Sequence, residues 1–274
     1  MSSLYADQRG DQSIRYPFSG AQAVVTGGRS GIGQATVDLL AASGLRVISL
    51  DISELGTQIR PGVTQVQADV TDESAVRVAV EPLAMQQGLS YLVNCAGIHQ
   101  QVSLADITQD QWRRMLEINL IAPATVARAL LPWLERSVRP AIVNVASLES
   151  TAIVALVNPE PVPHYAASKA ALQMLTRTMA RDYSRLGIRV NAVAPGFVIT
   201  PMSSANHAIA NHRNVDDTAL ESSLRLPPAA AARVPMERYA TATEIAGVIA
   251  FLLSDGASYM TGSSVLIDGG FSTT

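Results

Sequence analysis

Short apolar runs recur along this chain, separated by longer stretches in which apolar residues return with a helical period. The runs read as buried strands and the longer stretches as helices, because the two side-chain periodicities differ. Strands that alternate with helices predict an α/β fold with one domain and a doubly wound parallel sheet of seven strands. The predicted strands are Ala23–Thr26, Leu45–Asp51, Val63–Ala68, Tyr91–Asn94, Ala141–Ala146, Ile188–Val193 and Ser264–Ile267.

Capping and breaking residues set the limits of several predicted helices. Thr108 opens a capping-box signature, and Pro123 within the same helical pattern predicts a kink or break near Asn119. A helix from about Tyr165 to Leu186 is predicted to end at Gly187, because glycine suits the left-handed position after a helix. Two more helices are predicted to begin at Thr71, with Asp72 and Glu73 in its first turn, and at Thr241.

The first predicted strand leads directly into a glycine cluster. Residues 23–33 read AVVTGGRSGIG, so the strand ends at Thr26 and a helix begins near Gly31. Glycines allow positive φ and close approach to a ligand, and a helix N-terminus attracts phosphate groups. The spacing G-x-x-x-G-x-G differs from the commonest dinucleotide fingerprint, so the loop alone also fits a strand, turn and helix that bind nothing.

Asp51 closes the second predicted strand, about twenty residues after the glycine loop. An acidic residue at this place accepts hydrogen bonds from the hydroxyls of an adenosine ribose. An aspartate after a strand is also a common turn residue. Asp51 and the glycine loop together predict a dinucleotide site.

Composition narrows the class of protein. The 274 residues are 48 % hydrophobic, which suits one large domain, and the net charge of -3 argues against nucleic-acid binding. Cys95 is the one cysteine, so neither a disulfide framework nor a zinc cluster is expected, and no metal site is predicted. No apolar run approaches the roughly 20 residues that span a bilayer, and no signal peptide is recognised. We therefore expect a cytoplasmic protein that does not bind membranes.

Composition and the spacing of the predicted elements divide the chain into an arm, a folded domain and, within that domain, a lid. Residues 1–20 are polar and are predicted to form an N-terminal arm, whereas 21–274 form the folded domain. The irregular stretch from about 201 to 235 is longer than an ordinary connection between elements. It is predicted to form a lid over the substrate.

Tyr165 and Lys169 lie four residues apart and therefore on one face of their predicted helix. A tyrosine has an ordinary pKa of about 10, which is too high for a base at neutral pH. A neighbouring ammonium group is expected to lower that pKa, so that the phenol can exchange a proton during a reaction. The pair alone is weak evidence for a catalytic site, because a tyrosine and a lysine four residues apart are also common on solvated helix faces.

In this order, the motifs resemble those of the short-chain dehydrogenase/reductase family. The resemblance covers nearly all of the chain from Ala21 to Phe271 and implies a Rossmann-type fold. It rests on Thr26-Gly27-x-x-x-Gly31-Ile32-Gly33, Asp69-Val70, Asn94-x-Ala96-Gly97, Asn119, Ser147, Tyr165-x-x-x-Lys169 and Pro195-Gly196.

The resemblance implies four catalytic residues. Tyr165 is implied as the acid and base, and Lys169 as the group that holds the nicotinamide ribose and tunes Tyr165. Ser147 is implied to orient the substrate oxygen, and Asn119 to support Lys169 through a water molecule. Judged singly, Ser147 could cap the strand end and Asn119 could be an inward polar residue at a kink.

The resemblance also implies an NAD site. Asp51 is expected to exclude the 2′-phosphate of NADP, and Arg29, taken as an exposed and mobile side chain, is expected to attract it only weakly. Asp69 could instead be a turn residue, and Thr200 a helix cap. The implied cofactor residues are Gly27, Arg29, Ser30, Gly31, Ile32, Gly33, Asp51, Ile52, Asp69, Val70, Asn94, Ala96, Gly97, Tyr165, Lys169, Pro195, Gly196, Val198 and Thr200.

Candidate substrate residues are His99, Glu149, His164 and Phe197. Residues 148–164 exceed the usual family spacing and are expected to wall the substrate pocket, although a structural bulge is the alternative. The leading function is NAD-dependent interconversion of a secondary alcohol and a ketone on a small polar hydroxy compound. A reductase of carrier-bound or steroid-like ketones and a non-catalytic NAD(H) sensor are the alternatives. The resemblance also implies a homotetramer.

Overall fold

A computed structural model describes residues 16–56, 60–151, 162–202, 226 and 228–273. Within these residues the strands form one parallel seven-stranded sheet in the order β3-β2-β1-β4-β5-β6-β7. The predicted fold class is therefore confirmed. The strands are β1 (Gln22–Thr26), β2 (Arg46–Asp51), β3 (Val63–Gln67), β4 (Tyr91–Asn94), β5 (Ala141–Val145), β6 (Arg189–Pro195) and β7 (Ser264–Ile267).

Helices cover both faces of the sheet. Alternate residues of β1 enter different cores: Ala23 and Val25 pack on the side of α1 and α7, and Val24 packs on the side of α2, α4 and α5. A strand that is buried on both faces in this way reads as a continuous apolar run. The described helices are α1 (Gly31–Ala42), α2 (Glu73–Gln87), α3 (Gln109–Leu116), α4 (Ala122–Leu134), α5 (Pro163–Tyr183), α6 (Pro228–Ala231) and α7 (Ala242–Leu253).

The strand order reverses between β1 and β4, which are neighbours although two strands separate them in the chain. Ligands of open α/β sheets bind outside the carboxyl ends of the strands at such a reversal. The glycine loop follows β1, Asp51 ends β2, and Ser147 lies two residues beyond β5. All three therefore lie at one edge of the sheet.

Capping residues act at most of the predicted places. Thr108 and Thr241 each complete a capping box, as predicted. Gly187 has a φ of +73° and follows a short 3-10 turn at the end of α5, which confirms the predicted stop. The predicted start of α2 at Thr71 is wrong by two residues, because the Asp72 side chain caps the Ala75 N–H from outside the helix.

The predicted irregularity near Asn119 is confirmed as a π-helical turn, Glu117–Ile121, between α3 and α4. Pro123 is in the first turn of α4 and has no N–H group to donate to the Asn119 carbonyl four residues earlier. Turns of this kind widen a helix locally and recur at functional sites. The widened turn sets Asn119 inside the fold, where its side chain is fully buried.

The end of the predicted arm packs against the body of the domain. The Phe18 ring lies 5.6 Å from the Tyr91 ring, and the Pro17 carbonyl accepts a hydrogen bond from the Asp255 N–H at 2.8 Å. The Ser19 hydroxyl also donates to the Asp255 carboxylate at 2.5 Å. Residues 1–15 of the arm lie outside the described residues.

One continuous helical segment, Gln109–Leu134, is long and apolar enough to cross a membrane by length and composition alone. Its apolar residues Val126, Leu130 and Leu134 belong instead to the core beneath the sheet. The segment therefore acts as a core helix of this fold.

Candidate active site

The glycine loop between β1 and α1 is shaped to approach an anion. Gly27 and Gly31 have φ values of +64° and +49°, which lie in the left-handed region. A Cβ at Gly33 would lie 2.1 Å from the Gly27 carbonyl oxygen, so only glycine lets the helix pack on the loop. The Ser30 side chain caps no N–H group of α1, and no acidic residue lies in the first helical turn. The helix N-terminus thus fits a pyrophosphate.

Asp51 is held by donors on both carboxylate oxygens. The Arg29 backbone N–H donates to Oδ2 at 3.1 Å, and the Ser53 N–H and hydroxyl donate to Oδ1 at 3.0 and 2.8 Å. The carboxylate thereby joins the glycine loop to the end of β2. Oδ2 accepts one hydrogen bond and retains a further lone pair, so Asp51 serves as a turn residue and can still accept a ribose hydroxyl.

The expectation that Arg29 is exposed is wrong. Its side chain is half-buried, and Nη2 lies 2.9 Å from the position of a Cβ on Gly56, whose lack of a side chain makes room for the guanidinium. Nη1 is buried and has no hydrogen-bond partner within the described residues. A buried cation gains more from an anion than an exposed one does, so Arg29 weighs more in cofactor choice than the sequence indicated.

The end of β3 offers an open surface beside Asp51. Asp69 accepts hydrogen bonds from the N–H and hydroxyl of Thr71 at 2.9 and 2.8 Å, which makes it a turn residue. Ile52 is exposed, and Val70 is half-buried on the same side of the sheet. Contact of these residues with an adenine ring stays a prediction.

Thr26 joins the ends of β1 and β4, a role that the sequence analysis missed. Its hydroxyl oxygen accepts from the N–H groups of Cys95 and Ala96 at 3.0 and 3.1 Å. A Cβ at Gly27 would come within 2.9 Å of the Ala96 Cα, so the glycine loop and the segment after β4 lie in close contact. The threonine at the strand end, directly before the first glycine, was the available signal. Ile32 packs against the core beneath this loop.

Asn94 joins the central strands β4 and β5. Its side-chain amide donates to the Asn144 oxygen of β5 at 2.8 Å, and both residues are buried. Gly97 keeps space open beside the catalytic candidates, because a Cβ there would lie 3.2 Å from the Asn119 Oδ1 and 3.6 Å from the Lys169 Nζ.

Ser147 lies against Tyr165 at the end of β5. The Ser147 Oγ accepts from the Glu149 N–H at 3.2 Å and caps the 3-10 turn Leu148–Ser150. The same hydroxyl lies near enough to the Tyr165 phenol to lower the pKa of Tyr165. Ser147 therefore caps the turn and also reaches the catalytic candidate.

Lys169 lies one helical turn after Tyr165 and points into the same region. Its Nζ donates to the Val145 carbonyl at 2.7 Å and lies 5.8 Å from the centre of the Tyr165 ring. Burial lowers the pKa of Lys169 to about 8, against a weaker opposing effect of the Cys95 thiol. The two side chains share one helix face, as predicted.

The prediction of a lowered pKa for Tyr165 is wrong. Burial of the phenol raises the pKa of Tyr165 to about 12. The Ser147 hydroxyl lowers that pKa, and the Glu149 carboxylate raises it further. Desolvation is the largest effect on this phenol, so its pKa stays above the ordinary value although the Lys169 Nζ lies 5.8 Å from the ring centre.

Asn119 connects the π-helical turn to α5. Its Oδ1 accepts from the Ile98 N–H, and its Nδ2 donates to the Ile98 carbonyl, both at 2.9 Å. Nδ2 also lies 3.2 Å from the Ser168 Oγ, which in turn donates to the Tyr165 carbonyl at 2.7 Å. The sequence analysis missed Ser168, whose signal was its place between Tyr165 and Lys169 on the helix.

The segment after β6 returns to the glycine loop. Pro195 ends β6, and the Gly196 N–H donates to the Ile267 carbonyl at 2.9 Å. Val198 is buried and bridges to Ala240. A Cβ at Gly31 would lie 3.2 Å from the Thr200 Cγ2, so Thr200 faces the loop. Whether Thr200 also caps a lid helix concerns residues 203–225, which lie outside the described residues.

Two histidines stand near Tyr165. The His99 ring lies 4.8 Å from the Tyr165 ring with the planes at 73°, and the pKa of His99 is lowered by burial and by the neighbouring His164. His164 is fully buried, 6.0 Å from the Trp112 ring, and burial lowers its pKa. Within the described residues neither ring nitrogen of His164 has a hydrogen-bond partner.

Glu149 lies near Tyr165, because its charge acts on the phenol. Phe197 instead packs against the apolar cluster that contains Leu148 and Phe271. The Phe197 ring contacts Phe271 at 6.0 Å and Tyr239 at 6.4 Å, so the structure gives it a packing role. Burial raises the pKa of Glu149 to about 7. The expected wall at 148–164 and the lid at 201–235 are only partly covered, because 152–161, 203–225 and 227 lie outside the described residues.

Comparison with known proteins gives a consistent assignment. A family model described as enoyl-(acyl carrier protein) reductase matches residues 27–272. The chain is 34% identical over 262 residues to a 3-oxoacyl-[acyl-carrier-protein] reductase of Thermotoga maritima, covering 92% of this chain and 98% of that relative. It is 35% identical over 266 residues to a galactitol 2-dehydrogenase of Rhizobium johnstonii, covering 94% and 97%.

A solved structure, the ligand-free aldohexose dehydrogenase of Thermoplasma acidophilum, matches with a TM-score of 0.79 at 29% identity, covering 93% of this chain and 95% of that one. These relatives are oxidoreductases that act on CH–OH groups or on the corresponding ketones. The site, the sheet order and the matches agree with one another, and this chain belongs to the short-chain dehydrogenase/reductase family.

Proposed function

We propose that this protein is an NAD-dependent dehydrogenase that interconverts a secondary alcohol and a ketone on a small polar hydroxy compound. The observation that carries the proposal is the meeting of Ser147, Tyr165 and Lys169 at the sheet edge that also holds the glycine loop and Asp51. Sugars, polyols, sugar acids and diols are the candidate substrates.

Each residue has a role that follows from its contacts. Ser147 has its Oγ oriented by the Glu149 N–H, so its hydroxyl hydrogen is free to bind the substrate oxygen or the Tyr165 phenol. Tyr165 exchanges the proton of the reacting hydroxyl, and Lys169 supplies positive charge from the same face. Asn119 positions α5 through Ser168 and borders the space beside Lys169. When bound, the nicotinamide ring accepts or donates the hydride.

Asp51 supports NAD over NADP. Two unit charges about 4 Å apart at an effective ε near 20 repel by about 4 kcal/mol, which a 2′-phosphate would meet at this carboxylate. An exposed ion pair returns at most about 1 kcal/mol, and the half-buried Arg29 returns somewhat more. The balance leaves somewhat less than about 3 kcal/mol, or a preference of about 10²-fold in kcat/KM.

A small polar substrate suits the groups around Tyr165. Glu149 and His99 offer hydrogen-bonding groups near the phenol, and His164 lies behind them. The similarity to an acyl-carrier-protein reductase favours a second candidate, the reduction of carrier-bound ketones. A panel of alcohols with NAD⁺, set beside an acetoacetyl thioester with NADH and NADPH, distinguishes the two.

The test of catalysis is Tyr165→Phe. We expect kcat to fall by at least the roughly 10²-fold typical of a lost acid or base, while NADH binding followed by fluorescence stays nearly intact. Near-normal turnover in the variant would refute the assignment. NADH binding without turnover of any substrate by the unaltered protein would instead favour a sensor.

We further propose a cytoplasmic homotetramer. Ile121 and Met174 are 47% and 56% exposed on the π-helical turn and α5, and Phe251 and Leu266 are 39% and 42% exposed on α7 and β7. These exposed apolar side chains support subunit contacts at α5 and near β7.

A further inference from the structure

The 3-10 turn Leu148–Ser150 carries a carboxylate next to the catalytic serine. The Glu149 N–H donates to the Ser147 Oγ at 3.2 Å, so the two residues move as one unit. Glu149 is half-buried, and its charge acts on the Tyr165 phenol. The carboxylate therefore lies close to the place where a substrate oxygen must bind.

The turn is anchored on both sides of Glu149. Leu148 is 2% exposed and packs in a cluster with Phe271 and Val234. The Ser150 hydroxyl donates to the Ser147 carbonyl and accepts from the Gln173 side chain of α5 at 2.5 Å. The backbone of Glu149 is thereby held beside Ser147, which confines its carboxylate to the neighbourhood of Tyr165.

No cation neutralises this carboxylate within the described residues. None of the ion pairs there includes Glu149, and Lys169, a cation of the site, is bound to the Val145 carbonyl. Burial without a partner raises the pKa of Glu149 to about 7, which is the mark of an uncompensated charge.

From this placement we propose that Glu149 selects uncharged polyhydroxy substrates, by accepting a hydrogen bond from a hydroxyl near the reacting carbon and repelling substrates that carry a carboxylate there. The selection rests on the proposed dehydrogenase function and narrows it. Hydroxyl donors suit a carboxylate acceptor, whereas a second anion in a partly desolvated pocket is repelled strongly. Sugars, polyols and diols are therefore the substrates, and sugar acids are not.

The test compares matched pairs of substrates at pH 8.5 with NAD⁺. Galactitol is set against galactonate, and cis-1,4-cyclohexanediol against cis-4-hydroxycyclohexanecarboxylate. We expect the uncharged member of each pair to have a kcat/KM at least about tenfold higher. In Glu149→Gln, kcat/KM for the uncharged member should fall several-fold and kcat/KM for the anionic member should rise. The ratio of uncharged to anionic kcat/KM should therefore fall by at least about tenfold.

The ratio of two substrates on one preparation does not depend on the folded fraction, because the concentration of active enzyme cancels. Glu149→Asp keeps the charge and should retain the preference for the uncharged member, whereas a merely structural role would lower both members equally. A wild-type preference for the anion, or an unchanged ratio in Glu149→Gln, would overturn the selection.

These outcomes separate the selection from the proposed function. If turnover depends on Tyr165 but the substrate ratio does not change as expected, the proposed dehydrogenase function is retained and the proposed role of Glu149 is refuted. No turnover of any member would overturn the proposed function and the selection with it.

Discussion

Glu149→Gln removes one negative charge from the turn beside Ser147 and keeps the size of the side chain. Burial raises the pKa of Glu149 from the ordinary 4.5 to about 7 in the folded protein. At about 1.4 kcal/mol for each pH unit, this rise corresponds to about 3 kcal/mol, and partial exposure reduces it to about 2 kcal/mol. The folded state is therefore destabilised by the ionised carboxylate, and the variant should be the more stable protein.

The direction of the pH effect follows from proton binding. Below pH 4.5 both the folded and the unfolded chain hold the proton, and Glu149 has no effect on the free energy of unfolding. As pH rises toward about 7, the unfolded chain loses its proton first, so stability falls. Above that pH the full destabilisation is present, and Glu149→Gln should relieve it.

The assay is thermal unfolding of both proteins at pH 5 and pH 8.5, at one protein concentration. We expect the melting temperature of Glu149→Gln to exceed that of the wild type by about 4 °C more at pH 8.5 than at pH 5, at about 2 °C per kcal/mol for a chain of this size. Glu135→Gln, at an exposed position after α4, is the matched control and should differ little at either pH. An offset for Glu149→Gln that is equal at both pH values would refute the reasoning.

Three further variants test the cofactor site and the assembly. Lys169→Ala should lower kcat and weaken NADH binding together, measured by turnover and fluorescence titration; a loss of only one would contradict the double role. Asp51→Ala should shift kcat/KM toward NADP by at least about tenfold because the repulsion of the 2′-phosphate is lost, and adding Arg29→Ala should cancel only the smaller part of that shift. Met174→Glu should reduce the size of the assembly in light scattering, and a wild-type monomer at micromolar concentration would refute the homotetramer.

The sequence was sufficient for the order of the strands, because most strands are predominantly apolar runs bounded by turn residues. β4 and β7 begin and end where predicted, whereas β6 extends two residues further, to Pro195. The difference arises because backbone pairing with β7, and not hydrophobicity, decides the end of β6. The apolar pattern of the sequence and the backbone pairing of the structure agree within the strands and differ only at the strand ends.

The contacts of the buried charged side chains in the site could not be predicted from the sequence. Spacing placed Tyr165 and Lys169 on one face, but it could not tell that Lys169 binds the Val145 carbonyl. Nor could it tell that Gly56 makes room for the Arg29 guanidinium, because the contact joins residues far apart in the chain. Such contacts depend on the packing of whole elements, which no local pattern records.

The side chains around Tyr165 hold charges that burial disfavours. Burial favours the neutral forms of both Lys169 and Glu149, since the pKa of Lys169 is lowered to about 8 and that of Glu149 is raised to about 7. No ion pair joins the two within the described residues, and the Lys169 ammonium donates instead to the Val145 carbonyl. A chain selected for stability alone would lose both charges, so their retention around Tyr165 is best explained by groups that arrive with the ligands: hydroxyls for Glu149 and ribose oxygens for Lys169.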